Sequence, residues 1–173
     1  RYMTRSVVLI LLLLNSFINY AQNNCEIVWP SNVNYTGQSS TYLASGFLYN
    51  QQELVYGKVG SFFTNDLGEL ECGGWVNLEN LQDVYGVPSV QIPVYGDDII
   101  TSEKDGFAEG EEIIWLASMD DGETTYQASV TYAQGSSIYE NNGVNIISEF
   151  SIINEVINVC DLSSLFHFGC TNE

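Results

Sequence analysis

The chain has 173 residues, with 4 Lys plus Arg against 22 Asp plus Glu, for a formal charge of −18. That length suits one domain with a real core. That charge repels nucleic-acid phosphates and anionic lipid heads, so it argues against both as partners, while it keeps a chain soluble and attracts cations, calcium in particular.

The first segment does not read as fold. Arg1 and Arg5 precede an apolar run over residues 7–14, and a polar-flecked tail leads to Ala21-Gln22. A positive start, a short apolar run and a small residue at the cut make residues 1–22 a secretory signal peptide. The run is shorter than the roughly 20 residues a membrane span needs, so the mature chain is expected not to insert in a membrane. Asn23-Asn24 ahead of Cys25 does not fit lipoprotein anchoring, and Met3 is the expected start of translation. The mature chain is therefore expected outside the cell or at its surface. It keeps only Lys58 and Lys104 as cations, so 2 − 22 gives −20. Adaptation to salty surroundings would explain such a charge as well as cation binding does.

After the signal no helical period is sustained. Short β-rich runs alternate with turn clusters, and the expected strands cover residues 26–29, 42–49, 54–63, 70–77, 89–95, 113–117, 124–133 and 144–153. Several alternate apolar and polar residues, as strands with one buried face do. Asn65-Asp66-Leu67-Gly68, Gly96-Asp97-Asp98, Asp120-Asp121-Gly122 and Asn141-Asn142-Gly143 stand between them. Gly and Asn there supply the positive φ of tight turns. About eight strands at near-regular spacing predict an all-β fold, an antiparallel β-sandwich of Ig-like or jelly-roll type. That domain is expected over residues 23–158. Gly73-Gly74 falls inside a strand, which predicts a bulge or a close backbone approach.

The cysteines are Cys25, Cys72, Cys160 and Cys170. Export permits disulfides, and four cysteines allow three connectivities. Cys25 with Cys160 is the expected pair, because the first and last strands of a sandwich often lie side by side. Cys72, in an apolar strand, is expected to be a buried free thiol. Residues 159–173 carry Cys160, His167 and Cys170, and read as a linker or as the start of a further module in a longer protein.

The richest concentration of oxygen ligands lies between Asp97 and Glu112. Counted from Thr101 as position one, Glu103 falls at three, Asp105 at five, Gly106 at six, Phe107 at seven, Glu109 at nine and Glu112 at twelve. That is the spacing of an EF-hand loop, whose alternate side chains converge on calcium around a glycine turn. Thr101 departs from the usual Asp and the flanks are strands. The expectation is therefore a calcium loop between strands, with Asp97, Asp98, Thr101, Glu103, Asp105, Glu109 and Glu112 as ligands. A solvated acidic loop turned by Gly106 and Gly110 is the plainer alternative.

Catalysis finds little footing, and the chain is expected not to be an enzyme. His167 is the only histidine, and a Ser–His–Asp or Cys–His site would have to be built on it. Acids are so abundant that a carboxylate pair suited to glycoside hydrolysis carries no information. Trp29, Trp75 and Trp115 could form a sugar-stacking face, although core packing is the favoured role for Trp75 and Trp115.

Two passages carry a family resemblance. One is Val59-Gly60-Ser61-Phe62-Phe63-Thr64-Asn65-Asp66 with Gly68-Glu69-Leu70-Glu71-Cys72-Gly73-Gly74. The other is Gly96-Asp97-Asp98, Thr101, Lys104-Asp105-Gly106-Phe107 and Gly110-Glu111. Together they resemble a β-sandwich module of large secreted or surface proteins of Bacteroidota, over roughly residues 43–150. Asp66-Leu67-Gly68 departs from the plain Asp-Gly of that pattern. Tyr20-Ala21-Gln22 resembles signal endings of the phylum, and Phe168-Gly169-Cys170-Thr171-Asn172-Glu173 resembles the opening of a cysteine-bearing repeat. The resemblance implies a modular, non-catalytic surface protein, often exported by the type IX system, with Cys170 paired beyond this stretch. Its partners would be the other modules of the same chain, or surface glycans or proteins. The expected function is a structural or adhesive module, with calcium as a candidate stabiliser. The alternative is a carbohydrate-binding module of a polysaccharide-degrading protein.

Overall fold

The computed structural model describes residue 27, residues 29–33, 35–122 and 124–156, with side chains to residue 152. The signal segment, Cys25, Cys160, His167 and Cys170 lie outside the described residues. One compact unit spans Ile27–Ile157. Ten strands make it up: β1 (Ser39–Ser45), β2 (Phe47–Tyr49), β3 (Gln52–Glu53), β4 (Lys58–Thr64), β5 (Leu70–Asn77), β6 (Gln82–Val84), β7 (Val87–Tyr95), β8 (Ile114–Ser118), β9 (Thr125–Gln134) and β10 (Val144–Val156). They join in one mixed sheet, ordered β5-β4-β8-β9-β10-β1-β7-β6, with β2 and β3 appended to β10. The sheet curls into a half-barrel of sandwich-like, jelly-roll-like character, in agreement with the all-β expectation.

Most pairings are antiparallel, and the β4–β5 and β8–β9 hairpins have their turns where the sequence put them. Asn65 closes β4–β5: its side-chain oxygen accepts from Leu67 N at 2.9 Å and Glu69 N at 2.8 Å. Gly68 supplies φ 80° in that turn. Asp120 closes β8–β9. It accepts from the Ser118 hydroxyl at 3.0 Å, from the Thr124 amide at 2.7 Å and from the Thr124 hydroxyl. Those bonds, the Thr124 hydroxyl first, hold its carboxyl below the ordinary 3.8. The charged form is thus favoured by folding, and its contribution is present above pH 3.8 and lost as pH falls through the lower folded value. We expect Asp120→Asn to flatten the acid limb of the stability–pH curve, read by urea midpoints at stepped pH; an unchanged acid limb would refute this role.

Three strand expectations need correction. Residues 42–49 form two strands, not one. Gly46 at φ 65° kinks the chain, and a Cβ there would meet Ser148 O at 2.5 Å. Both pieces continue along β10 in parallel. The run over 54–63 enters the ladder only at Lys58. Gly57 sits at φ 98°, where a Cβ would lie 2.6 Å from Ser118 O. Ile27 and Trp29 join no strand; Ile27 is buried, and Trp29 packs edge-on against Phe62, ring centroids 5.1 Å apart. The short strands β3 and β6 were not expected. Their turns, Asn50-Gln51 and Tyr85-Gly86, place the non-glycine residues Asn50, Gln51 and Tyr85 at positive φ, so they depart from the usual Asn-Gly or Asp-Gly signal.

Parallel pairing of β1 with β10, beside antiparallel pairing of β1 with β7, puts the first strand in mid-sheet. Alternation along β1 sends Ser40, Tyr42 and Ala44 inward. They meet a core of Phe47, Val59, Phe63, Ile92, Trp115, Ile147 and Phe150. The two walls of the half-barrel touch at Gly73-Gly74, where the sequence suggested a bulge or a close backbone approach and both are found. The ladder slips there, since Ser61 pairs with Gly74 and Phe62 with Cys72. Gly73 is the extra residue of a bulge. At Gly74 a Cβ would lie 1.8 Å from the Pro93 carbonyl oxygen on β7.

Candidate functional site

The acidic loop connects β7 to β8 at one end of the half-barrel. It begins where β7 ends. Phe107 N donates to Tyr95 O at 3.0 Å and Asp97 N donates to Phe107 O at 2.8 Å. That exchange pulls the loop back on itself, and Gly106 makes it possible. A Cβ on Gly106 would lie 2.3 Å from Gly96 O.

The carboxylates then secure the backbone. Asp97 Oδ1 accepts from Asp105 N at 2.9 Å and Asp105 Oδ1 accepts from Asp98 N at 2.9 Å. This reciprocal pair forms a neck that closes residues 98–105 into a lobe. Inside it Asp98 Oδ1 accepts from Ile100 N at 3.1 Å, and the Thr101 hydroxyl donates to Asp98 O at 2.7 Å and to Glu103 O at 3.1 Å. Glu109 reaches across to Asn141 N at 3.0 Å. Glu112 pairs through its backbone with Ile138 and is exposed.

The seven expected ligands are thus not gathered into one coordination sphere. Asp97, Asp98 and Asp105 share the neck, Thr101 and Glu103 lie in the lobe, Glu109 reaches Asn141, and Glu112 lies on the bridge to Ile138. Among the described residues no group of three or more His, Cys, Asp or Glu side chains converges so as to hold a metal. Calcium requires six to eight oxygens at about 2.3–2.6 Å, and these side chains do not fit that demand. In an EF-hand, helices flank the loop; here strands do. We expect the unfolding midpoint to be the same in millimolar calcium and in chelator. A rise of several degrees with calcium would restore the ligand reading.

Three residues outside the expected set hold the loop to the sheet. Phe107 is buried, stacks on Tyr139 at 5.6 Å and packs edge-on against Phe63 at 5.4 Å. Its ring occupies the space above Gly73, where a Cβ would come within 2.3 Å of it. Lys104 Nζ donates to Thr64 O at 2.5 Å and to Glu111 Oε1 at 2.7 Å, and lies 5.3 Å above the Phe63 ring. Lys104 N also donates to Asp66 Oδ2 at 3.3 Å, joining the loop to the β4–β5 turn. Glu111 accepts from Ala108 N at 2.9 Å with its other oxygen. The signal for Lys104 was its rarity: a cation kept among so many acids has partners to serve.

The second lysine is sealed in the same way. Lys58 Nζ meets Asp121 Oδ1 at 2.5 Å and lies 4.8 Å over the Trp75 ring. Both lysine side chains are less than one-fifth exposed. Among the described residues, then, no lysine or arginine stands free at the surface.

The tryptophans do not form an open platform. Trp115 is buried, its Nε1 donating to Tyr132 Oη at 2.8 Å. Trp29 is half-buried, with Nε1 donating to Thr125 Oγ1 at 2.9 Å, and Trp75 is half-buried beneath Lys58. Cys72 is free and half-buried, and burial pushes its thiol up to about 12, which keeps it neutral and unreactive. No helix among the described residues is long and apolar enough to cross a membrane. Comparison with protein-family models, with curated proteins and with solved structures returned no match.

Proposed function

We propose that this chain is a non-catalytic structural or adhesive module of a larger secreted or cell-surface protein. One observation carries the reading: five carboxylates between residues 97 and 112, those of Asp97, Asp98, Asp105, Glu109 and Glu111, accept from backbone amides, and Glu111 also from Lys104, so they stiffen a loop. A catalytic acid or base needs an oxygen aimed at substrate in a tuned environment. A presenting surface needs loops held rigidly on a sheet, which is what these bonds supply. The signal-like opening segment and the resemblance to surface modules of Bacteroidota support export, by the type IX route under that resemblance.

The test uses beads coated with the full chain. They should adhere to cell-surface or matrix protein coatings more than beads carrying an unrelated protein of equal charge. A silent glycan array should accompany that result. Glycan binding without protein adhesion would favour the carbohydrate-binding alternative, and cleavage of a polysaccharide would overturn the reading.

A further inference from the structure

Five large apolar side chains among the described residues are more than four-fifths exposed: Tyr35 at 83%, Leu67 at 81%, Ile99 at 86%, Ile100 at 88% and Tyr85 at 102%. Four of them share one end of the half-barrel. Tyr35 packs edge-on against Tyr95, the last residue of β7, at 5.1 Å. Ile99 and Ile100 ride on the lobe that follows β7. Leu67 caps the β4–β5 turn, which the Lys104–Asp66 bond ties to that lobe. Tyr85 alone sits at the far end of β7, in the β6–β7 turn. Scattered single exposed apolar residues mean little, whereas a group on one face marks an interaction site.

Charge decides what the group fits. Asp66, Glu69, Asp98 and Glu103 neighbour these apolar tips along the chain, and Asp66, Glu69 and Glu103 are exposed. The only described cations, Lys58 and Lys104, are sealed in ion pairs and over aromatic rings. A second copy would bring acid against acid with no free cation to bridge it. Nucleic acid and anionic lipid are repelled for the same reason. Desolvating these tips therefore favours a partner that brings positive charge with its own apolar side chains.

We propose that the end bearing Leu67, Ile99 and Ile100 is a docking surface for a basic protein segment that interleaves cationic and apolar side chains. The proposal rests on the adhesive reading only in supposing that the chain has a protein partner.

The test titrates the full chain with a labelled peptide of alternating lysine and leucine, with a lysine-only peptide and with a glutamate–leucine peptide. The first should bind, weaken as salt rises, and bind at least about tenfold less to the Leu67→Ser, Ile99→Ser, Ile100→Ser variant. Tyr85→Ser should bind like the parent. All these sites are exposed, so equal melting curves confirm intact folds. Equal binding by the triple variant, equal loss with Tyr85→Ser, equal affinity for the lysine-only or glutamate–leucine peptide, or self-association abolished by the triple variant would each overturn the proposal. Beads carrying the triple variant separate the two readings. Adhesion that persists on them sinks this surface and leaves the adhesive role standing, whereas parent beads that fail to adhere sink the role itself.

Discussion

Replacing Gly74 with alanine is expected to cost about 3 kcal/mol or more, among the larger single-methyl effects a domain of this size can show. The new Cβ would lie 1.8 Å from the Pro93 carbonyl oxygen. The obstacle is backbone on a neighbouring wall, so no rotamer change relieves it. Either β5 lifts from β7 or the curl of the sheet opens, and both expose the core behind Phe63 and Phe107. The unfolding midpoint should fall by about 10 °C or more, and the urea midpoint should fall with an unchanged m-value. Gly68→Ala is the control. A Cβ there meets nothing within 4 Å, and only φ 80° is strained. Its cost should stay near 1–2 kcal/mol. If Gly74→Ala proved no worse than Gly68→Ala, the close approach of the two walls would not be a constraint on the fold.

Phe107→Ala should cost about 3–5 kcal/mol, because it empties the space between Phe63, Tyr139 and Gly73. The second expectation is coupling. Gly73→Ala drives a methyl into the Phe107 ring, within 2.3 Å of its edge. In the Phe107→Ala background that ring is absent. Gly73→Ala should then cost about 1–2 kcal/mol less than in the parent. The same change should speed hydrogen exchange at the Asp98 and Asp105 amides, since Phe107 anchors the loop whose neck those amides close. Strict additivity of the two substitutions would show that ring and glycine do not meet in solution.

Much of the fold was legible along the chain because strands and turns are local events. Alternation at residues 124–133 marked β9, Asn65 and Gly68 marked a turn, and Gly73-Gly74 marked a bulge or a close approach. Two of the misread strands share a cause. Gly46 and Gly57 looked like ordinary residues within β-rich runs. They break those runs because of carbonyls at Ser148 and Ser118, far away in sequence. In the acidic loop, too, spacing along the chain did not place the side chains. Spacing from Thr101 to Glu112 describes which oxygens recur, not where they point. Direction came from the strand register that brings Tyr95 against Phe107, and from Lys104 reaching Thr64.

By itself, then, the sequence determined the class of the molecule: an acidic β fold, with its turns placed and its sheet divided nearly as found. Those properties follow from composition and from backbone preferences a few residues long. Only the tertiary structure decided which strands are neighbours, that the first strand runs parallel to the last, that five acids between residues 97 and 112 bind backbone amides, and that both described lysines are sealed. Each of these depends on groups tens of residues apart meeting within hydrogen-bond distance, and no local pattern encodes such a meeting.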